Sequence, residues 1–228
     1  MELDTVAKVK AAWHRLAGAT SADPALVLNG ESADDVAYQY LTRGCRVAQR
    51  WMLKCGYQGW RKRSAALVFS GTDAADGGKY VALPDDFLRA YGNGRKSALT
   101  NAGGERWGTE VPTNDEEAHG DGYYLRGSQI WLLRGAGTPA TLYLDYHYQH
   151  PLWSALLTPI DFPLEARFLI PTEAAELAMG EEWWPGDEKS EEKLERALMR
   201  AREEARDVAR QTKQPRQMRK PFRLGNRY

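Results

Sequence analysis

Cysteine is scarce in this chain. The 228 residues include two cysteines, Cys45 and Cys55, and both fall within one predicted helix. Ten residues of helical rise, at about 1.5 Å each, place them about 15 Å apart, beyond the roughly 7 Å that a disulfide tolerates. We therefore expect no disulfide, and two small apolar residues buried in a reducing compartment.

Net charge and long hydrophobic runs are also missing. The chain carries 31 basic and 31 acidic residues, so nothing global attracts it to nucleic acid or to an anionic membrane. No window approaches the roughly 20 apolar residues of a membrane span. The amphipathic start, MELDTVAKVKAAWHRL, has neither the basic region nor the apolar stretch of a signal peptide. We expect a protein that makes no membrane contact and stays in the cytoplasm where it is made.

Motifs for catalysis and for metal or cofactor binding are sparse. The sequence has no CxxC, HExxH or GxSxG motif, and its glycine clusters are not followed by the lysine and hydroxyl residue of a phosphate loop. Asp145, His147 and His150 lie close together, and the first two would share a strand face. Zinc needs further ligands, so we interpret this group as polar decoration on the exposed side of a hairpin. The sequence predicts no enzyme, no cofactor and no metal.

The N-terminal part predicts two amphipathic helices. In the first, which fails at Gly18, apolar residues recur at three- and four-residue intervals. They are Leu3, Val6, Val9, Trp13 and Leu16. The second is predicted from a cap at Ser32 to Gly56. Its predicted buried face consists of Val36, Tyr40, Val47, Trp51 and Cys55.

The middle of the chain predicts strands. Short β-forming runs at 65–69 and 79–83 are separated by glycine-rich turns. Between them and the later strands, PDDFLRAYG predicts a short helix that opens at Pro84 and ends at Gly92. The runs 123–133 and 141–150 then predict a hairpin around RGAGTPA. In its second arm we expect Leu142, Leu144, Tyr146 and Tyr148 on one side and Tyr143, Asp145 and His147 on the other.

The C-terminal part predicts two more helices. One is expected to start near Pro171, because proline suits the first turn of a helix. The other is long and charged, and Glu192 with Arg196 adds a small stabilising pair. Its apolar stripe consists of Leu194, Leu198, Ala201, Ala205 and Val208.

These elements predict an α+β fold. Two N-terminal and two C-terminal helices would form an antiparallel helical bundle, because each amphipathic helix needs partners. An antiparallel β-rich insertion interrupts the bundle. The predicted organisation is helices in 1–60, the insertion with its hairpin 123–150 in 61–161, closing helices in 162–212 and an extended C-terminal arm in 213–228.

That arm is a basic tail, and nothing in its composition favours independent folding. It has two prolines and no acidic residue. Its basic residues are Lys213, Arg216, Arg219, Lys220, Arg223 and Arg227. Met218, Phe222, Leu224 and Tyr228 lie between or after them and would anchor in the pockets of a partner.

The order of parts resembles the head-to-tail adaptor, or connector, proteins of tailed bacteriophages, which include the tail tubular and head completion proteins. KYVALPDDFLRAYG is similar to the family's strand followed by a Leu-Pro-x-Asp-Phe turn and helix. YYLRGSQIWLLRGAGTPATLYLDYHYQHPLW is similar to its hairpin with a tyrosine-rich second strand. A closing pair of helices follows, and the resemblance covers most of residues 30–212.

The resemblance implies a structural virion protein of the neck or tail. Such proteins form rings, commonly of twelve subunits, below the portal, join the capsid to a distal tail or neck protein and help to retain packaged DNA, which passes through the lumen. The C-terminal segment often embraces the portal. Here that role would fall to Lys213, Arg216, Arg219, Lys220, Phe222, Arg223, Arg227 and Tyr228. No cofactor and no enzymatic activity are implied.

Two other function classes remain open. A nucleic-acid-binding module would use the same basic tail to bind phosphates, although the neutral remainder of the chain argues against it. An enzyme would rest on Asp145, His147 and His150 alone. Because an extended tail loses entropy on ordering, we expect a monomer or weak oligomer that closes into a ring on the portal.

Overall fold

The computed structural model consists of two compact units. It describes residues 3–16, 33–72, 78–91, 97–111, 120–133, 136–137, 141–155, 158–180 and 188–213. The helical unit comprises residues 1–58 and 151–228, and the sheet unit comprises residues 59–150. The described ranges form four helices and two sheets, so the fold is α+β, as the sequence predicts.

The described residues of the helical unit form four α-helices. They are α1 (Val6–Leu16), α2 (Ala33–Lys54), α3 (Leu169–Gly180) and α4 (Glu188–Lys213), with a short 3-10 helix at Leu164–Ala166 before α3. All four lie where the sequence predicts a helix, and Pro171 falls in the first turn of α3. Ser32, the predicted cap of α2, lies outside the described residues. Within the described part of the chain, none of the helices combines the length and apolar composition needed to cross a membrane.

The buried face of α2 differs from the predicted one. Val36 and Tyr40 are buried as predicted, but Val47, Trp51 and Cys55 are only half-buried. The fully buried positions include Leu41, Cys45, Ala48 and Met52. The reason is Gly44, where an added side-chain carbon would lie 2.7 Å from both Cβ and N of Ala174. Glycine lets α3 approach the backbone of α2, and this close contact sets the buried face.

Helix α4 packs its apolar stripe as predicted. Leu194, Leu198, Ala201 and Ala205 are buried, and Val208 is half-buried. On its exposed side, Arg196 lies 2.6 Å from Glu192, which confirms the predicted pair.

An ion pair joins α4 to α3. Arg202 donates to both carboxylate oxygens of Glu173, at 2.9 and 3.1 Å, and to Glu176 at 3.0 Å. Glu173 is only 1% exposed, and its burial raises the pKa of its carboxyl. The guanidinium of Arg202 therefore compensates the charge of the Glu173 carboxylate, which lies buried on α3.

In the part of the sheet unit that the structure describes, nine short strands form two sheets. The strands are β1 (Arg61–Arg63), β2 (Gly71–Thr72), β3 (Lys79–Ala82), β4 (Phe87–Ala90), β5 (Leu99–Thr100), β6 (Thr109–Glu110), β7 (Gly122–Arg126), β8 (Gln129–Leu132) and β9 (Tyr143–Tyr148). The four-stranded sheet has the order β1-β9-β4, with β5 also paired to β9. The five-stranded sheet has the order β2-β3-β8-β7-β6. Pairing is antiparallel except between β6 and β7, which run parallel.

The predicted hairpin is wrong. Residues 123–133 do not form a single arm, because the chain turns back at Gly127, where φ is +60°, and β7 pairs with β8. Strand β9 instead pairs with β1, β4 and β5 in the other sheet. Glycine tolerates the left-handed conformation, so Gly127 and Ser128 make the tight turn that the sequence predicts at RGAGTPA.

The helix predicted for PDDFLRAYG is also wrong. The carbonyl of Pro84 accepts a backbone hydrogen bond from Phe87 at 2.9 Å, which closes a turn, and residues 87–90 then continue as β4 beside β9. Pairing with β9 overrides the local helix signal of a proline followed by two acids. The run 65–69 likewise forms none of these strands and makes one isolated β-bridge, between Leu67 and Leu142.

Candidate nucleic-acid interface

Most of the predicted binding tail lies outside the described residues. Lys213 is the last residue of α4. Arg216, Arg219, Lys220, Phe222, Arg223, Arg227 and Tyr228 fall in the part that the structure does not describe. The portal-binding role assigned to this tail therefore stays a prediction.

Both histidines of the group Asp145, His147 and His150 are buried, which corrects the interpretation of this group as exposed polar decoration. His147 is 6% exposed and His150 is 5% exposed, whereas Asp145 is half-buried. The ring of His150 lies edge-on to Trp60 at 5.4 Å and to Tyr148 at 5.7 Å. No group of three potential ligands is placed to hold a metal among the residues that the structure describes.

Strand register brings arginines over His147. In β1, Arg61 pairs with His147 and Arg63 pairs with Asp145, and in β4, Arg89 pairs with His147. Directly paired residues of antiparallel strands project to the same face of a sheet. Arg61, Arg63 and Arg89 therefore share one face with Asp145 and His147 of β9. A shift of register in β4 places Phe87 opposite Tyr148, on the other face.

We call this surface the arginine–tyrosine face. It consists of Arg61, Arg63, Arg89, Tyr91, Arg106 and Tyr143. Tyr91 follows β4 and donates its backbone N–H to the carbonyl of Asp145 at 2.8 Å. Arg106 forms an isolated β-bridge with Thr100 of β5, and Thr100 pairs with Tyr143 of β9. Six residues from four separate segments of the chain thus meet on one side of one sheet.

Two of the guanidinium groups are stacked on tyrosine rings. Arg61 lies 3.7 Å above the centre of the Tyr91 ring, and Arg63 lies 4.4 Å above that of Tyr143. Arg63 also donates to Oγ1 of Thr100 at 3.1 Å and to the carbonyl of Asn101 at 2.6 Å. Stacked guanidinium groups lose less entropy on binding an anion, because their geometry is already set.

Arg106 completes the arrangement. Its Nη1 donates to the carbonyl of Ser97 and, at 3.3 Å, to the carbonyl of Tyr91. Its guanidinium lies 5.9 Å from the centre of the Tyr91 ring, so two arginines approach the same tyrosine. The face therefore concentrates four arginines around Tyr91, with the half-buried carboxylate of Asp145 in the same register, in a chain whose net charge is zero.

His147 does not add to this charge. Burial lowers the pKa of His147, and repulsion by Arg61 and Arg89 lowers it further. Its Nδ1 lies 3.0 Å from the carbonyl of Gly59. A carbonyl can only accept, so Nδ1 carries the proton and the neutral ring supports the arginines above it.

The opposite side of the sheet anchors these strands. Tyr146 is buried, and its hydroxyl donates to Asp86 at 2.6 Å. Lys62 of β1 donates to the other oxygen of that carboxylate at 2.7 Å. Burial works to raise the pKa of Asp86, but the bonds from Lys62 and Tyr146 outweigh it and lower the pKa. Strand β1 is thereby fixed to β9.

Planar cations at fixed positions, beside aromatic rings, are suited to phosphate groups. This site could not be predicted from the sequence, because its members lie in separate short segments that only the pairing of β9 brings together. The run RKR at 61–63 is its one local signal. No protein-family model and no curated protein matches the chain.

Proposed function

We propose that the chain is the head-to-tail adaptor of a tailed bacteriophage, a structural protein of the virion neck that forms a ring below the portal. The observation that carries this proposal is the order of elements. Two helices, a strand-rich middle, two closing helices and a basic tail follow one another as in the family that the sequence resembles. In this proposal the four helices form the antiparallel bundle, and residues 213–228 form the extended arm.

The tail is the proposed portal-binding element. Its basic residues would pair with acidic groups on the portal, while Phe222 and Tyr228 would fill apolar pockets. Because the tail would order only on binding, the chain alone would be a monomer or a weak oligomer. A distal tail or neck protein would bind the opposite side of the ring.

Co-sedimentation with the portal protein encoded in the same genome tests this proposal. The full-length chain should sediment with the portal, and a version truncated after Gln211 should remain in solution. In a second, full-length version, glutamine replaces the lysines and arginines of the tail while the aromatic anchors remain. This version should bind the portal at least about tenfold more weakly. If full-length chain and portal sediment independently, the adaptor proposal fails.

A second candidate function is nucleic-acid binding, and the arginine–tyrosine face specifically favours it. Within the adaptor proposal, the same face would contact DNA that crosses the lumen and help to retain it. Contacts to phosphate release counterions, so such binding should weaken steeply as salt rises.

Fluorescence anisotropy with a labelled DNA duplex tests this role. Replacing Arg61 and Arg89 by glutamine should weaken binding about tenfold at low salt and reduce the slope of log K against log salt by up to about 2. The matched control replaces Lys79 and Arg126, two exposed cations of the other sheet, by glutamine and should leave both quantities nearly unchanged. Equal losses in the two variants would show that the arginine–tyrosine face has no special role.

A further inference from the structure

The exposed side of α2 carries a basic stripe that the arginine–tyrosine face does not include. The stripe consists of Arg43, Arg46, Arg50 and Lys54, which fall within a sector of about 80° at about 100° per residue. Between Val36 and Lys54 the helix has no acidic residue. The stripe therefore presents one sign of charge along about 16 Å of helix.

A groove opens beside the first half of this stripe, within the helical unit. Its volume is about 570 Å³, and its walls are Tyr38, Gln39, Thr42, Arg43 and Arg46 of α2 together with residues 152–154. The backbone N–H of Trp153 donates to Oγ1 of Thr42 at 3.1 Å, which holds this second wall against the helix. The groove is thus built by two segments in direct contact.

The groove combines cationic and apolar walls. Leu152 is 69% exposed although it is a large aliphatic residue. On the other side, Nε of Arg46 is buried and has no hydrogen-bond partner among the described residues. A partly desolvated guanidinium gains more from a neighbouring carboxylate than a fully hydrated one does.

We propose that this groove and the basic stripe bind an acidic segment of a partner protein that carries one large apolar side chain. Its carboxylates would pair with Arg43, Arg46 and Arg50, and its apolar side chain would cover Leu152. The inference does not depend on the adaptor proposal, although a portal or tail protein would be a natural source of such a segment.

The apolar wall favours a peptide over nucleic acid. Bases bind proteins by stacking on exposed aromatic faces. Leu152 offers no ring, Trp153 is only 5% exposed, and Tyr38 of the opposite wall is half-buried. An aliphatic or aromatic side chain from a peptide fits this wall better than a base does.

The test uses the full-length chain and a short fluorescein-labelled peptide in which glutamates flank a central tryptophan. Anisotropy at low salt should show saturable binding, and replacing the peptide's glutamates by glutamine should weaken it at least about tenfold. Replacing Arg43 and Arg46 by glutamate should weaken it at least about tenfold, and Leu152→Ser should weaken it about threefold. Because the Leu152 side chain is exposed, Leu152→Ser tests the groove even if the double charge reversal disturbs folding.

The matched control places the same charge reversal elsewhere on the helical unit. Lys193→Glu with Arg210→Glu changes two exposed cations of α4 and should leave peptide binding unchanged. Absence of saturable binding, or an equal loss in the control, would overturn the proposal. It would also be overturned if an unlabelled DNA duplex displaced the peptide as well as unlabelled peptide does, which would assign the stripe to nucleic acid.

Discussion

At the scale of single residues, His147 contributes to how the sheet unit responds to acid. The ring is buried and its Nδ1 proton is donated to Gly59, while Arg61 and Arg89 repel a second proton. The pKa of His147 is therefore lower in the folded chain than in the unfolded chain. The contribution of the neutral His147 ring to folding stability is fully present above about pH 6.5. It is lost as the pH falls toward the pKa that His147 has in the folded chain.

This linkage predicts that acid destabilises the protein partly through His147. Between about pH 8 and pH 5 the unfolded chain gains a proton at this position that the folded chain resists. Between the pKa values of His147 in the unfolded and folded chain, the free energy of unfolding falls by about 1.4 kcal/mol for each pH unit. His147→Asn retains a side-chain N–H for Gly59 but does not titrate, so its free energy of unfolding in urea should fall less over this range. If wild type and variant lose equal stability, His147 does not carry the effect.

At the scale of elements, the contact between α2 and α3 depends on Gly44. A side-chain carbon at this position would lie 2.7 Å from N of Ala174 and 2.8 Å from the carbonyl oxygen of Ile170. Both are backbone atoms, so relief requires one helix to move away from the other. The absence of a side chain here positions the two helices.

Gly44→Ala should therefore destabilise the protein although alanine favours helices. Overpacking costs about 1–3 kcal/mol, and the helix preference of alanine returns about 1 kcal/mol, so we expect a net loss of about 1–2 kcal/mol in urea unfolding. Gly180→Ala is the matched control. Nothing lies within 4 Å of its added carbon, and stability should change by less than about 0.5 kcal/mol. A Gly44→Ala variant as stable as wild type would contradict the close packing.

The helices could be predicted from the sequence because their signals are local. The intervals between Leu194, Leu198, Ala201 and Ala205 and the proline at Pro171 act within a few residues of chain. The difference between the predicted and the observed buried face of α2 could not be predicted from the sequence. It depends on the contact of Gly44 with Ala174, which lies 130 residues further along the chain. Periodicity identifies a helix, but the position of its partner selects the face.

Strands are harder to predict, because their pairing is not local. Residues 87–90 carry a helix-start signal and form β4 because β9 lies beside them. The turn at Gly127 divides what reads as one strand. Strand β9, which begins at Tyr143, joins strands that begin 82, 56 and 44 residues earlier, at Arg61, Phe87 and Leu99. The arginine–tyrosine face escapes prediction for the same reason, since it exists only through this register.

At the scale of the whole molecule, the proposed adaptor separates its tasks among its parts. The helical unit and the tail would make protein contacts, through the groove of α2 and the anchors around Phe222 and Tyr228. The sheet unit would supply the arginine–tyrosine face for phosphate groups. A chain of zero net charge can perform both tasks, because its positive charge is concentrated locally.

Negative-stain electron microscopy of portal mixed with this chain tests the central proposal most directly. The full-length protein should add a ring of density below the portal, with the symmetry of the portal, and the version truncated after Gln211 should add none. Bare portal particles in both mixtures, at concentrations where the full-length chain is folded and in excess, would contradict the adaptor function.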